Sequence, residues 1–442
     1  MTNLILNTDS YKLSHFKYYP SDVVGMHSYI ESRSSNEKIV PFGLSYWIQK
    51  NLTTPITEHD IKEAQEFAKR HGEPFNVLAW YKVLHMYEGY LPLRIHGKYE
   101  GEIIDSSTPF ITVECTDPDL FWLCSYIETS LLRTIWYGTT IASNGLKFKN
   151  LFKSYYDKCS DSSYEYNFVD FGSRGVSGED TSQIGGAAHL IYFKSSDNIL
   201  GIKTANEIYR CKEMSGYSIP ATEHSVECAF GPSKQDQSNY IHQVLVETNR
   251  NSAVSIVLDG YDVIREIKTV LNTYSNMIRE KNLTVVFRLD SGDDPVSIIL
   301  DTLRMQEETM GYTLNSKGYK VLNHVKVLQG DGVDYDAINY ILKSVIKEEY
   351  DPVNVVFGSG GALLQKVNRD TYKFAMKASS VLSKTTGQWI DIYKDPITDP
   401  GKRSKSGRFS NNMLLYYTHE ERCAEPVYYY THFENIIKEA NK

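Results

Sequence analysis

An irregular α/β barrel, carrying an additional β-rich α+β domain built from both chain ends, is the fold class this sequence predicts. Three observations lead to it. Between residues 159 and 370, strand-like runs alternate with helical patterns. The strand-like runs are almost continuously apolar, as parallel strands buried on both faces are. On either side, residues 1–158 mix helices with the short strands of 91–115, and residues 371–442 return to strands and turns. The two ends are therefore expected to pack together, with the barrel inserted between them.

Each element follows from local pattern. The opening Thr8-Asp9-Ser10-Tyr11-Lys12 leads into a tyrosine-rich run ending at Tyr19-Pro20. Thr57 precedes Ile61, Ala64, Phe67 and Ala68 at helical spacing, Gly72 supplies a stop, and residues 77–87 read as a second helix. From Leu91 to Cys115, apolar residues such as Leu93, Ile95, Ile111 and Val113 alternate with turns, which predicts short antiparallel strands. Residues 120–141 are the most apolar segment, but Glu128 and Arg133 interrupt it, so it reads as a buried helix and not a membrane span. The polar run 159–163 marks a boundary, giving an N-terminal portion 1–158, a barrel 159–370 and a C-terminal portion 371–442. Barrel strands are expected at 168–172, 190–193, 254–259, 285–290, 325–331 and 353–358. Helices are expected at 235–248, 261–272, 295–309 and 335–347. Beyond Arg369, strands return at Phe374 to Met376, 389–392, 413–416 and 427–430.

Composition narrows the function classes. The chain of 442 residues is 41% hydrophobic and 23% charged, an ordinary globular balance. Its net charge of −8 disfavours a nucleic-acid surface, although a small polyanion needs only a few local cations. Six scattered cysteines form no CxxC pair or zinc spacing, which fits a reducing compartment. The first residues carry no basic n-region or apolar core, so the expectation is a soluble, cytoplasmic protein without membrane attachment. The 33 tyrosines suit either ligand-lined clefts and interfaces or β-rich structure.

Chemistry-bearing residues gather at the strand ends, where α/β barrels place their sites. Phe357-Gly358-Ser359-Gly360-Gly361 follows a strand and precedes a helical pattern. It is either a phosphate-binding turn or simply a tight strand-to-helix connection. Asp259, Asp290 and Asp331 could hold ribose hydroxyls or the water ligands of Mg²⁺, or cap helices. Arg174, Arg288 and Arg369 add bidentate donors for phosphate oxygens. Phe171 offers an aromatic platform or a core ring. The basic run Lys402-Arg403-Ser404-Lys405-Ser406-Gly407-Arg408 is a surface loop or a lid. His224, in Gly216-Tyr217-Ser218-Ile219-Pro220-Ala221-Thr222-Glu223-His224-Ser225, is a loop residue, a general base or a nucleophile. These residues point to a barrel enzyme acting on a phosphorylated, ribose-containing ligand.

Taken in order, the motifs resemble the nicotinamide phosphoribosyltransferases of the type II phosphoribosyltransferase family, nearly end to end. The residues that carry the likeness are Thr8 to Lys12, Asp170-Phe171-Gly172-Ser173-Arg174-Gly175, Gly216 to Ser225, Asp290-Ser291-Gly292, Gln329-Gly330-Asp331-Gly332 and Phe357 to Gly361. The resemblance implies transfer of phosphoribosyl from phosphoribosyl pyrophosphate to nicotinamide by a homodimer with sites at its interface. Phe171 and a second subunit's Tyr11 would enclose the nicotinamide ring, and Asp197 would accept from its amide. Arg174, Arg288 and His224 would meet the pyrophosphate. Asp290, Gly330, Asp331, Gly360, Gly361 and Arg369 would hold the ribose and its 5′-phosphate. Ser218, Ser255 and Asp259 match further pocket positions, and Arg33, Lys394 and Lys402 match basic residues around the phosphates. Mg²⁺ would be held mainly through pyrophosphate and water, near Asp259 and Asp290, with ATP coupled through a phosphohistidine at His224. Ser173, Leu289 and Gly260 depart from the family's pattern. The alternatives are a nicotinate-specific relative and a binding or signalling protein on the same scaffold.

Overall fold

The computed structural model describes residues 3–289, 294–409, 412–421 and 432–442. Asp290-Ser291-Gly292 and the strand expected at 427–430 lie outside them. The chain divides into two compact units, Met1–Ser143 with Lys203–Glu213 and Val367–Lys442, and Asn144–Ile202 with Met214–Lys366. The division runs through the helix Glu128–Cys159 rather than after it, upstream of the polar run at 159–163.

In the first unit both chain ends interleave in one antiparallel sheet, as expected. Val23–Ser32 pairs along its whole length with Phe374–Ser383 and, on its other side, with Ile111–Cys115. Leu93–Gly97 then joins Ile111–Cys115 to Leu414–Thr418, while Trp389–Asp391 extends the opposite edge. Helix Glu58–His71 begins at a capping box between Thr57 and Asp60 and closes at Gly72. Trp47 and Trp80 anchor the core with almost no exposure, each burying aromatic surface worth about 2–3 kcal/mol in transfer alone. Helix Leu44–Asn51 lacks a capping side chain at Gly43, and the buried Glu100 replaces it from a distance. Its carboxylate accepts from the N–H groups of Gly43, Leu44 and Ser45 at 2.5, 3.0 and 3.3 Å.

The second unit is built on six parallel strands: β1 (Phe168–Asp170), β2 (Ser195–Ser196), β3 (Ala253–Val257), β4 (Thr284–Leu289), β5 (Val325–Gln329) and β6 (Val355–Ser359). Their spatial order is β2-β1-β6-β5-β4-β3. The segment from Tyr217 to Thr222 joins the two edges, since Tyr217 bridges Ser195 and Ala221 bridges Ser255, both in parallel sense. Ser196 N donates to Tyr217 O (3.0 Å) and Ser255 N to Pro220 O (2.9 Å), so the sheet closes on itself as a barrel. Helices at Lys234–Glu247, Val263–Lys281, Pro295–Met310 and Tyr335–Lys347 separate the strands. One expectation fails: residues 190–193 form turns after helix Glu179–His189, and β2 starts only at Ser195. Leu190, Ile191 and Phe193 are buried there, with His189 stacked on Phe193. A short, fully buried apolar run has no period to separate strand from turn. Among the described residues no helix is long and apolar enough to cross a membrane.

Candidate functional site

Alternation along the parallel strands fills the barrel. Val169, Val286, Leu328 and Val356 form a small inner cluster with Phe171 against it. The same residues line a cavity of about 380 Å³, whose polar lining includes Asp197, Ser218, Ser255, Arg288 and Lys326. The inward positions thus read Val169–Phe171, Thr284–Val286–Arg288 and Lys326–Leu328, each two residues apart as strand geometry requires. Burial pushes the Lys326 ammonium down from its ordinary pKa.

Phe171 and Arg288 meet where β1 and β4 end, with the guanidinium 5.4 Å from the ring centroid. Gly358 makes this possible, because a Cβ there would lie 2.1 Å from the Phe171 ring. The buried Asp170 carboxylate accepts from Gly172 N (2.7 Å) and Asn198 Nδ2 (3.0 Å), while its backbone oxygen accepts from Asp197 N (3.0 Å). Burial raises the pKa of that carboxyl group. Asp170 therefore positions both Phe171 and Asp197. Ser218 donates to Asp197 Oδ1 at 2.5 Å, a charge-assisted bond that fixes the carboxylate.

The glycine turns lie beside this pair. Residues Gly172–Gly175 form a 3₁₀ turn that leaves Arg174 exposed, and Gly360 precedes the short helix Gly361–Leu364. The two connections are stitched together by Phe171 N donating to Ser359 O (2.9 Å) and by paired bonds between Ser177 and Gln365 (3.1 and 2.8 Å). Gly330 and the exposed Asp331 follow β5 on the same strand-end edge.

His224 opens the helix His224–Phe230, and its Nε2 lies 3.2 Å from Asp259 Oδ1. The histidine side chain is 48% exposed while that of Asp259 is 2% exposed, so a buried carboxylate holds an accessible ring. A carboxylate only accepts, which assigns the proton to Nε2 and leaves the neutral ring's lone pair on Nδ1. Behind them sit two buried carboxyl groups, Glu227 and Glu266, that sequence reasoning did not single out. Tyr166, Tyr217 and Lys326 were also missed. Lys326 carried a signal, a lone charge inside the apolar run Val325-Lys326-Val327-Leu328.

The remaining expected site residues belong to the first unit. Tyr11 is 54% exposed in the 3₁₀ turn Ser10–Leu13. Arg33 Nε reaches Glu31 at 3.3 Å, Arg369 is exposed beside Asp370, and Lys402 pairs with Asp399 at 2.8 Å. Lys394 N donates to Ser404 Oγ (2.8 Å), Lys405 pairs with Glu31 (2.9 Å), and Arg408 grips Glu114. The latter half of the basic run is thereby anchored, and Lys402 and Arg403 stay exposed.

Comparison with known proteins follows this geometry. Residues 166–425 match the model of the nicotinate phosphoribosyltransferase family, and residues 3–95 match the N-terminal domain of nicotinamide phosphoribosyltransferase. A nicotinamide phosphoribosyltransferase of Xanthomonas campestris pv. campestris is 40% identical over 419 residues, covering 93% of this chain and 87% of the relative. One from Mycoplasma pneumoniae is 30% identical over 450 residues, covering 93% and 96%. The crystal structure of human nicotinic acid phosphoribosyltransferase superposes with a TM-score of 0.60 at 14% identity, covering 98% of this chain and 92% of that one, a likeness of fold.

Proposed function

The chain belongs to the nicotinate phosphoribosyltransferase family, and on that premise we propose that it transfers phosphoribosyl from phosphoribosyl pyrophosphate to nicotinamide, giving nicotinamide mononucleotide and pyrophosphate for NAD biosynthesis. It is a pentosyltransferase. The observation that carries the substrate reading is the barrel cavity, largely apolar and lined by the Phe171–Arg288 pair and by Asp197. A small aromatic ring with a polar amide suits that lining. Phe171 takes one face of the ring and Tyr11 of a second subunit the other.

Each residue has a task in this reading. Asp197, held by Ser218, accepts from the carboxamide NH₂ of nicotinamide and repels the carboxylate of nicotinate. The pyridine nitrogen is nucleophilic as it stands, so no general base is needed. Breaking the C1–O bond builds positive charge on the sugar, as in glycosyl transfer. Arg174 and Arg288 stabilise the leaving pyrophosphate, and Arg33, Lys394 and Lys402 add positive charge around the phosphates. Gly330, Asp331, Gly360, Gly361, Arg369 and Asp290 hold the ribose and its 5′-phosphate. Ser255 and Asp259 complete the pocket wall. Mg²⁺, when bound, offsets the charge of the pyrophosphate. The exposed carboxylate of Asp331 is a hard oxygen donor suited to the water shell of that ion. ATP phosphorylates His224 and couples its hydrolysis to product formation. The enzyme works as a cytoplasmic homodimer.

Steady-state kinetics with nicotinamide and nicotinate test the substrate reading. The wild type should prefer nicotinamide, and Asp197→Asn should shrink the ratio of kcat/KM at least about tenfold, or ~1.4 kcal/mol. A ratio unchanged by Asp197→Asn removes that residue from base selection. A wild type that prefers nicotinate overturns the substrate.

A further inference from the structure

Two acids lie buried behind His224 without the donors that ionised carboxylates require. Glu227, on the His224 helix, is 1% exposed, and Glu266, on helix Val263–Lys281, is fully inaccessible. Oε2 of Glu266 has no protein donor among the described residues, and the Glu227 carboxyl has at most the backbone N–H of Gly260 turned towards it. Oε1 of Glu266 accepts one long bond from Asp262 N at 3.4 Å. The two carboxyl groups are neighbours with almost no other donors, and two carboxyls held together away from water require a proton on one of them. Gly260 leaves the room, since a Cβ there would lie 2.4 Å from Glu227 Oε2. Gly260 adjoins Asp259, the partner of His224. The pair thus ties three elements together: the His224 helix, the turn after β3 and the helix Val263–Lys281.

We propose that Glu227 and Glu266 share a single proton and act as a positioning pair, clamping the His224 helix onto the Asp259–Gly260 turn. The pair itself is inferred from packing. Its consequence for turnover rests on the reading of His224 as the phosphate acceptor. With the proton in place, one hydrogen bond and one net negative charge lie behind His224. Without it, two like charges would be forced together away from water, which separates the helices that carry them. Burial, then the hydrogen bond and charge of Glu227, pushes the Glu266 carboxyl up to about 9, and burial also raises that of Glu227. The other titratable or charged groups around the pair are His224, Cys228, Tyr240, Asp259, Tyr261, Asp262 and Arg265. Of these, Tyr261 is hydrogen-bonded to Cys228, and Arg265 Nε donates to Gln237 Oε1 at 2.8 Å.

The sign of the linkage is fixed by this arrangement. The folded state keeps a proton that the unfolded chain releases above the ordinary glutamate range, so stability falls as pH rises from that range towards about 9. Glutamine supplies the same hydrogen bond without a titrating proton. Thermal unfolding of the full-length protein between about pH 6 and about pH 9 should therefore show Glu266→Gln losing less stability than the wild type, by a slope of about one proton. The ATP-stimulated part of kcat should fall on the alkaline side in the wild type and persist in Glu266→Gln, with KM for nicotinamide unmoved. Glu227→Gln repeats the test from the other partner. Equal pH slopes in wild type and both variants overturn the shared proton. So does failure of both variants to fold, or stabilisation of the wild type by added Mg²⁺ or Ca²⁺ that both variants lose, which would make the pair a cation site. A slope that behaves as expected in an enzyme without any ATP stimulation supports the proton-sharing pair and overturns the ATP reading of His224.

Discussion

His224 combines two properties that a transient phosphate acceptor needs: an accessible ring and a fixed orientation. Asp259 supplies the second by binding Nε2, and the same bond leaves Nδ1 as the nitrogen that would take the phosphate in the proposed function. His224→Ala should abolish ATP stimulation and phosphoenzyme formation while transfer without ATP continues at a reduced rate, as read from labelled ATP and mononucleotide formation. Stimulation that survives the substitution would return His224 to an ordinary loop position. Part of the barrel lining was legible at this scale, because Phe171 and Arg288 sit at strand ends, whereas Asp197, Ser218 and Ser255 were expected only through the family resemblance. Glu227 and Glu266 were not, since a glutamate on an amphipathic helix looks like a solvated residue until its burial is seen.

At the scale of elements, the barrel depends on a segment too short to announce itself. Tyr217 to Thr222 bears no strand pattern, yet it bridges β2 and β3. Thr222 secures it through a ring of three bonds: Val257 N donates to Thr222 Oγ1 (3.0 Å), Thr222 meets Tyr240 Oη (2.6 Å), and Tyr240 donates to Val257 O (3.0 Å). Thr222→Val keeps the side-chain shape and deletes the acceptor, leaving the Val257 amide unpaired. The expected cost is about 1–3 kcal/mol in chemical denaturation, and a stability within ~0.5 kcal/mol of wild type would detach closure from this ring. Elements with a clean period were legible: the helices Pro295–Met310 and Tyr335–Lys347 match expectation within a residue. Helix Val263–Lys281 runs nine residues past the expected end at 272, because nothing between Asn272 and Lys281 stops a helix and Asn282 does, in the left-handed conformation. Pairing between the chain ends also followed from rhythm alone, although no local signal sets its register from Val23↔Ser383 to Ser32↔Phe374.

For the whole molecule, the decisive question is whether one chain can complete a site. The barrel cavity presents Phe171 as one aromatic face, and the second aromatic assigned to the ring, Tyr11, stands exposed on a turn of the other unit. Within its own turn Tyr11 lies 5.2 Å from the His15 ring, between centroids, and its place in a second subunit's site is part of the proposed function. Complementation between defective subunits separates the two cases. Tyr11→Ala and Arg288→Ala should each depress nicotinamide turnover severely when pure. In a mixed dimer with composite sites, one site collects both lesions and the other collects neither. Random one-to-one mixing should then restore about a quarter of wild-type activity, since half the dimers are mixed and half their sites are intact. Sites complete within one subunit gain nothing from mixing. Activity of the mixture no higher than the mean of the two pure variants would place Tyr11 outside its partner's site.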